Sequence, residues 1–217
     1  SSSSPTPLYA GEDAVRLKEF EHTLYNNDNK PDGTITGGLA FWDQEMYEVI
    51  SPVVVSRLKS QAEDKGKKDN KGDKKQKTHK VKLKADRATL VEGKGTVRLY
   101  GNVSVDGKDF HITTEDVTYF TSGDRMKSKS PIDVRKYRTT EKGKKKTALL
   151  IRGSDSSADL TLKKITIRKN PVMKIMGATE DFLTPGENDQ SGGGSTTVTV
   201  TATKKLVYDH PARKATF

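Results

Sequence analysis

The stretch VRLYGNVSVDGKDFHITTEDVTYF, residues 97–120, decides the fold class. Apolar and polar residues alternate along its first half, and this period of two is typical of a β-strand with one dry and one solvated face. Asp106-Gly107 follows, the strongest short signal for a tight hairpin turn. Phe110-x-Ile112 then begins the return strand. The stretch therefore predicts two antiparallel strands joined by a tight turn.

Alternation of the same kind recurs along most of the chain. It is found in Val53-x-Val55, Val117-x-Tyr119, Ile132-x-Val134, Leu160-x-Leu162, Ile165-x-Ile167 and the stretch TTVTVTAT at 196–203. An all-β fold built of antiparallel hairpins is therefore predicted. The exception is Glu12 to Tyr25, where apolar residues fall at every third or fourth position. That spacing predicts a short N-terminal helix, with an extended strand as the alternative.

Charge and composition narrow the classes of partner and of chemistry. The net charge of +10 and the pI of about 9.5 favour an anionic partner, which could be nucleic acid, anionic lipid headgroups or a polyanionic glycan. The chain has no cysteine, which excludes disulfides, thiolate nucleophiles and cysteine-based zinc sites. No run of about 18 apolar residues predicts a membrane span, and the first residues do not resemble a signal peptide. A targeting segment or membrane anchor would therefore have to precede this sequence.

Three interruptions divide the chain. A lysine-rich insert covers 59–82, a shorter one covers 141–146, and both are typical of solvated loops. The third interruption contains SGGGS and is typical of a flexible linker. We therefore expect a lead-in at 1–33, a β-jellyroll at 34–176, a linker at 177–195, and at 196–217 a terminal strand or the start of a further repeat.

The chain also contains an internal repeat. Six positions between Ala85 and Val105 overlay six positions of similar character between Thr114 and Val134. Each unit is a strand, a tight turn and a second strand that reaches Gly-Asn-Val (101–103) or Ser-Pro-Ile (130–132). Repeats of about 20–50 residues indicate stacked units that bury their faces against their neighbours. Stacked hairpins folded into two facing sheets give a β-jellyroll or a V-shaped trough.

These residues resemble the OstA-like β-jellyroll family of lipopolysaccharide export. KADRATLVEGKGTVRLYGNVSVDGKDFHITTEDVTYFTSGDRMKSKSPIDV (84–134) is similar to the family's run of an Ala-x-x-Ala strand, Leu-x-Gly-Asn-Val and a Thr-x-x-Pro-Val-type strand. LLIRGSDSSADLTLKKITIRKN (149–170) is similar to the segment that follows, although Ser154 to Ser157 stand where the family has a second glycine and an apolar residue. The order of segments is nearest to the LptC branch. The half-unit at 196–217 resembles the start of an LptA-like unit, which would make the parent chain a fusion.

The resemblance implies a function without catalysis. Members of this kind carry lipopolysaccharide through the periplasm from the inner to the outer membrane, so the implied ligand is lipopolysaccharide or a related glycolipid. The implied partners are neighbouring jelly-roll proteins, joined head to tail by β-strand pairing, and an inner-membrane ABC transporter. A tether to the inner membrane would lie outside this sequence, and no nucleic acid is expected.

The residues themselves are compatible with such a role. Inward Val, Ile and Leu side chains can close as an ordinary core or remain open as a groove for acyl chains, because each buried CH₂ stabilises by about 0.8 kcal/mol. Basic side chains near strand ends, at Arg98, Lys108 and Arg135, are weaker candidates for contact with anionic headgroups. The candidate groove residues are Leu39, Phe41, Val53, Val55, Leu90, Val97, Leu99, Val103, Val105, Phe110, Ile112, Val117, Tyr119, Ile132, Val134, Ile165 and Ile167.

No pattern in the chain points to an enzyme, a metal or a cofactor. The four histidines are scattered, and Glu115 and Asp116, as neighbours on a strand, point to opposite faces. No glycine-rich phosphate loop or nucleophile elbow occurs. The rival function is a basic β module that binds nucleic acid or another polyanion, although the 6% of aromatic residues do not interleave with the lysines. A purely structural repeat scaffold is the third alternative.

Overall fold

The computed structural model describes residues 5–59, 78–91, 93–140, 143–178, 196–209 and 214–216. Most of the predicted lysine-rich insert, the start of the shorter one and nearly all of the predicted linker lie outside these ranges. The described part of the chain contains no helix that is long and apolar enough to cross a membrane.

All regular structure among the described residues is antiparallel β-strand, which confirms the predicted all-β class. The strands are β1 (Val15–Tyr25), β2 (Pro31–Asp43), β3 (Met46–Ile50), β4 (Val53–Lys59), β5 (Thr78–Lys84), β6 (Arg87–Val91), β7 (Thr96–Asp106), β8 (Phe110–Phe120), β9 (Arg125–Ser128), β10 (Ile132–Thr139), β11 (Lys145–Asp159), β12 (Lys164–Ala178), β13 (Thr196–Thr201), β14 (Leu206–Asp209) and β15 (Lys214–Thr216).

The long strands take part in two layers. β2, β7, β8, β11 and β12 each pair with one neighbour along one half and with a different neighbour along the other half. The first layer runs β1-β2-β3-β6-β7-β8-β9-β11-β12-β14-β15, and the second runs β1-β2-β4-β5-β7-β8-β10-β11-β12-β13. The shared strands join the layers along one side, so the predicted two-sheet jelly roll of hairpins is confirmed.

The side on which the layers join is a line of bends, which we call the corner row. It includes Ser51-Pro52, Asp86, Gly101-Asn102 and Ser130-Pro131, so the predicted repeat motifs stand at the bends. Backbone hydrogen bonds run along it, from Ser51 N to Asp86 O at 2.8 Å and from Asp86 N to Gly101 O at 2.9 Å. Gly101 has a φ of +74°, and a Cβ there would lie 2.6 Å from Asp86 Oδ2. Only glycine fits this bend without strain.

The predicted N-terminal helix is wrong, because residues 15–25 form β1. Glu19 has a positive φ of 53°, and this one residue interrupts the alternation between Leu17 and Phe20. The apolar positions 17, 20 and 24 therefore imitate helical spacing although each half of the strand keeps a period of two. A bulge-like irregularity and a helix leave the same spacing in the sequence here.

Candidate functional site

The predicted groove corresponds to the space between the two layers. Thirteen of the candidate residues are at most 5% exposed and belong to one apolar cluster. The layers meet face to face there, since the Tyr119 hydroxyl on β8 of the first layer donates to Ser56 Oγ on β4 of the second layer at 3.1 Å. These thirteen residues are Leu90, Val97, Leu99, Val103, Val105, Phe110, Ile112, Val117, Tyr119, Ile132, Val134, Ile165 and Ile167.

The other four candidates lie outside this cluster. In β4 the fully buried residues are Val54 and Ser56, so Val53 and Val55 lie on the other face and are only half-buried. In β2 the inward face changes between Ile35 and Ala40, both 0% exposed, because the strand bends at Gly37-Gly38. Leu39 and Phe41 therefore have the parity of the outer face. Alternation predicts that two faces exist, but a bend reverses which face is inward.

A short N-terminal segment crosses the outer face of the first layer, and we call residues 6–10 the strap. Glu48 on β3 is 0% exposed beneath it. Its carboxylate accepts hydrogen bonds from the backbone N–H groups of Leu8, Tyr9 and Ala10 at 2.8–3.0 Å and from Arg87 Nη1 at 2.5 Å. Burial raises the pKa of this carboxyl, but the hydrogen bonds from the backbone and from Arg87 lower it by a larger amount. The net shift of the pKa is therefore downward.

Phe41 lies on the same outer face as the strap. This residue is paired with Glu48 across β2 and β3 and is 5% exposed, yet it is absent from the interior cluster. Phe41 therefore lies on the outer face that the strap crosses, and its neighbours Ala40 and Trp42 have the opposite parity. No sequence pattern signals the strap, because its contacts join residues about 40 positions apart.

The layers approach each other again at the strand ends opposite the corner row, and we call this side the mouth. The Thr121 hydroxyl, in the β8–β9 turn of the first layer, donates to the Tyr25 carbonyl oxygen of the second layer at 2.9 Å. Leu160 and Leu162, in the β11–β12 turn, are at most 1% exposed. Leu160 N donates to the Asp124 carbonyl oxygen at 2.8 Å, which joins two neighbouring turns of the first layer. The mouth is therefore closed by turns and side chains instead of by strand pairing.

Two carboxyl groups meet inside the mouth. Burial raises the pKa of Asp124 to about 7, and the hydrogen bond and the negative charge of Asp32 raise it as well. Asp124 Oδ1 is buried and has no hydrogen-bond partner among the described residues. Burial also raises the pKa of the Tyr119 phenol beside them, so this phenol is neutral at physiological pH.

A lysine lies in the C-terminal half of the mouth. Lys136 on β10 is 7% exposed and has the inward parity of Val134. Burial lowers its pKa, although the nearby charges of Asp109 and Asp159 raise it. Lys136 Nζ lies 3.9 Å from Asp109 Oδ2. The interior is therefore apolar along its middle and carries ionisable groups only toward this rim in the part of the chain that the structure describes.

The N-terminal end of the interior is aromatic and partly open. The Tyr47 ring on β3 lies 5.1 Å from the Phe20 ring and 5.9 Å from the His22 ring, both on the second-layer half of β1. Trp42 lies 6.5 Å from Tyr47 and is 39% exposed, and Val15, paired with it, is 50% exposed. A cavity of about 530 Å³ lies beside them, lined in part by His22, Leu24 and Leu90.

Sequence reasoning missed this aromatic end. Because β1 was interpreted as a helix, Val15 and Phe20 were not assigned to a strand face. Trp42 and Tyr47 were missed because they come after the bend that reverses the inward face of β2. A usable signal was the only tryptophan of the chain, because large aromatic side chains at the edge of an apolar surface are common at binding sites.

The basic candidates do not form one site. Arg98 is exposed on the first-layer half of β7, and Arg135 is exposed on β10 of the second layer, where its Nε donates to Asp133 Oδ1 at 3.1 Å. They therefore lie on opposite outer faces. Lys108 is exposed in the β7–β8 turn, and its carbonyl oxygen accepts from Lys145 Nζ at 3.0 Å. No three His, Asp or Glu side chains of the described residues come together as a metal site.

The comparison with known families agrees with the fold. Residues 69–154 match the family model described as "LptC: Lipopolysaccharide-assembly, LptC-related", which is about two fifths of the chain. The match includes β5 to β10 and most of β11, and the same two layers continue on both sides of it. No curated protein matches the chain significantly. Residues 69–154 are therefore similar to the LptC-related lipopolysaccharide-assembly family, in agreement with the predicted resemblance to the OstA-like jelly rolls.

Proposed function

We propose that this protein binds lipopolysaccharide or a related glycolipid and carries its acyl chains between the two β-layers, without a chemical step. The observation that supports this most is the apolar interior, which is continuous from the centre to a partly exposed aromatic end at Trp42 and Tyr47. The family match gives the class of cargo that this interior would serve.

The energetics favour an acyl ligand in such an interior. A chain of a dozen carbons gains roughly 10 kcal/mol gross when it leaves water. The central side chains already contact one another at 0–5% exposure, so the layers must separate before a chain can lie between them. Separation of the layers exposes aliphatic surface, and the bound acyl chain covers this surface again. The net free-energy cost of opening in the presence of ligand is therefore small.

The same proposal places the headgroup outside the mouth. The polar and charged rim formed by Lys136, Asp109 and the turns borders the apolar interior, so a glycolipid can leave its sugars in water while its chains are buried. In this arrangement Arg98 and Arg135 cannot hold one headgroup together, since they lie on opposite outer faces. Either one would instead meet the solvent-exposed glycan independently.

Partners are proposed at both ends of the sheet. Among the described residues β1 pairs only with β2, β13 only with β12, and β15 only with β14. Open strand edges accept a strand from a neighbour, so head-to-tail pairing would continue the groove into adjacent jelly-roll proteins, one of them attached to an inner-membrane ABC transporter. The proposed location is the periplasm, with attachment to the inner membrane.

Photo-crosslinking to lipopolysaccharide tests the proposal. A photoreactive residue at Tyr47 or Val103 should label strongly, and the label should persist at high salt because apolar contact is weakly screened. Ser104 is the matched control, since it follows Val103 on β7 and faces away from the interior. Equal labelling at Ser104 that disappears with salt would contradict the groove and favour binding of a polyanion to the basic surface.

A further inference from the structure

One lysine side chain points into the apolar interior. Lys136 lies on β10 with the same parity as Ile132 and Val134, which are at most 5% exposed, and its own side chain is only 9% exposed. Its register partners on β8 and β11 are Phe110 and Leu149, both members of the apolar cluster. Lysine is rarely buried without a close partner, because loss of hydration penalises its charge. The contacts of this ammonium group therefore need an explanation.

The two carboxylates near Lys136 compensate its charge only weakly. Asp109 Oδ2, in the β7–β8 turn, lies 3.9 Å from Lys136 Nζ, which is too long for a hydrogen bond. Asp159, at the first-layer end of β11, accepts hydrogen bonds from three backbone N–H groups of the residues that follow it, so its oxygens are directed to its own turn. Burial lowers the pKa of Lys136 although both negative charges raise it. The protein thus holds a buried cation that lacks a close anion in either carboxylate.

Lys136 lies where the interior meets the mouth. The inner face of the second layer consists of register rows that run across its strands. One row is wholly apolar and at most 2% exposed, and it consists of Val105, Ile112, Val134, Ile151 and Met173. The next row toward the mouth consists of Phe110, Lys136, Leu149 and Ile175. An acyl chain that lies against the apolar row would therefore bring its polar end beside Lys136.

Exposed lysines surround this part of the mouth on both layers. On the second layer, Lys108 is exposed in the β7–β8 turn, and its carbonyl oxygen accepts from the ammonium group of Lys145 at 3.0 Å. On the first layer, Lys163 and Lys164 are exposed in the β11–β12 turn and at the start of β12. Solvated charges of one sign attract the opposite charge at long range, and salt screens this attraction. The rim therefore favours the approach of an anion to the buried lysine.

We propose that Lys136 anchors an acid group at the end of the ligand's acyl chains, namely a phosphate monoester, so that the protein selects anionic over neutral amphiphiles. The inference rests on the function proposed above, because acyl chains must first occupy the interior. The phosphate would replace Asp109, whose side chain is 49% exposed and can remain in water. It offers acceptor oxygens to an ammonium group with three donors, whereas a neutral glycoside offers only hydroxyls, and hydrogen bonds between two charged groups are the stronger kind.

Two soluble amphiphiles with the same chain test this anchor. Dodecyl phosphate and dodecyl maltoside are titrated into the full chain by calorimetry, below the micelle concentration of each and at high salt, so that the exposed lysines contribute little. The wild-type protein should bind dodecyl phosphate about tenfold more tightly than dodecyl maltoside. Lys136→Met should lose this preference and keep its affinity for dodecyl maltoside. Methionine has a similar length, and replacing a buried charge by an apolar side chain is often neutral for stability, so the variant should fold.

Two control variants separate the anchor from net charge. Lys136→Arg retains a cation at the position and should retain the preference for phosphate. Lys82→Met removes one charge from the outer face of β5, where Lys82 is exposed between the buried Val81 and Leu83, and should behave as the wild type. An unchanged preference in Lys136→Met, or an equal loss in Lys82→Met, would overturn the anchor. Binding of both amphiphiles by the wild type without preference would overturn the anchor alone, whereas binding of neither would contradict the proposed function as well.

Competition against dodecyl phosphate distinguishes the natural sources of this group. Phosphorylated lipid A carries phosphate on an acylated sugar, and phosphatidic acid carries it on an acylated glycerol. Under the proposed function, phosphorylated lipid A should displace dodecyl phosphate from the wild type, and Lys136→Met should bind lipid A more weakly. Displacement by phosphatidic acid alone, lost in Lys136→Met, would support the anchor and contradict the glycolipid as cargo.

Discussion

The corner row and the mouth join the same two layers by different means. At the corner row the strands themselves pass from layer to layer, and the bonds between neighbours are backbone hydrogen bonds such as Asp86 N to Gly101 O. At the mouth the contacts are made by side chains and turns, such as Tyr119 to Ser56. The layers are therefore covalently continuous on one side and joined only by non-covalent contacts on the other, so any separation of the layers would begin at the mouth.

The largest expected effect comes from straining the corner row. Gly101→Ala should destabilise the fold by about 2–4 kcal/mol, because the new Cβ meets Asp86 in a backbone conformation that already disfavours a side chain. Gly93→Ala is the matched control. Gly93 has a similar φ of +76° with no atom within 4 Å of the added Cβ, so the cost there should be about 1 kcal/mol. Urea unfolding measures both, and equal losses would show that the corner contact with Asp86 is not important.

A smaller loss of stability is expected from removing a cross-layer hydrogen bond at the mouth. Tyr119→Phe leaves Ser56 Oγ without its cross-layer donor and should cost about 1–2 kcal/mol in the free energy of unfolding. A double-mutant cycle with Ser56→Ala isolates the contact, and a coupling of about 1 kcal/mol is expected. Additive losses in the two single variants would mean that this hydrogen bond does not hold the layers together.

The smallest effect on stability is expected at the aromatic end. Trp42 is 39% exposed, so Trp42→Phe should change the free energy of unfolding by less than about 1 kcal/mol. As the only tryptophan, Trp42 should shift its fluorescence to shorter wavelength when a lipid with acyl chains binds. An acyl-free oligosaccharide is the control ligand. A shift produced equally by both ligands would place the contact outside the groove.

The comparison also explains what the sequence could predict. Alternation and the repeat were enough for the all-β class and for the stacked hairpins, because both depend on local patterns. The repeat motifs Gly-Asn-Val and Ser-Pro-Ile were predicted within strands, and only the structure shows that the layers bend there. The helix prediction for β1 failed because a single positive-φ residue, Glu19, imitates helical spacing. The inward face of β2 was assigned wrongly after Gly37-Gly38, because the bend there interrupts the alternation. Trp42 was therefore not predicted as part of the interior.

The mouth was beyond sequence reasoning for a different reason. Asp32 and Asp124 lie in separate parts of the chain and meet only because two bent sheets face each other. Each aspartate alone is typical of a solvated turn. The raised pKa of Asp124 depends on burial that no local pattern records, so the ionisable part of the site becomes visible only in the folded molecule.

The strap determines which layer would take up a force applied to the N-terminal residues. Residues 6–10 are attached through Glu48 and Arg87 to the outer face of the first layer, and the Tyr9 ring stacks on Tyr100 at 4.8 Å. A pull on the N-terminal residues is therefore delivered to the first layer, away from the contacts that close the mouth. If the layers separate as proposed, the second layer would move about the corner row while the strap holds the first, so tension at the N-terminus would not act on the mouth.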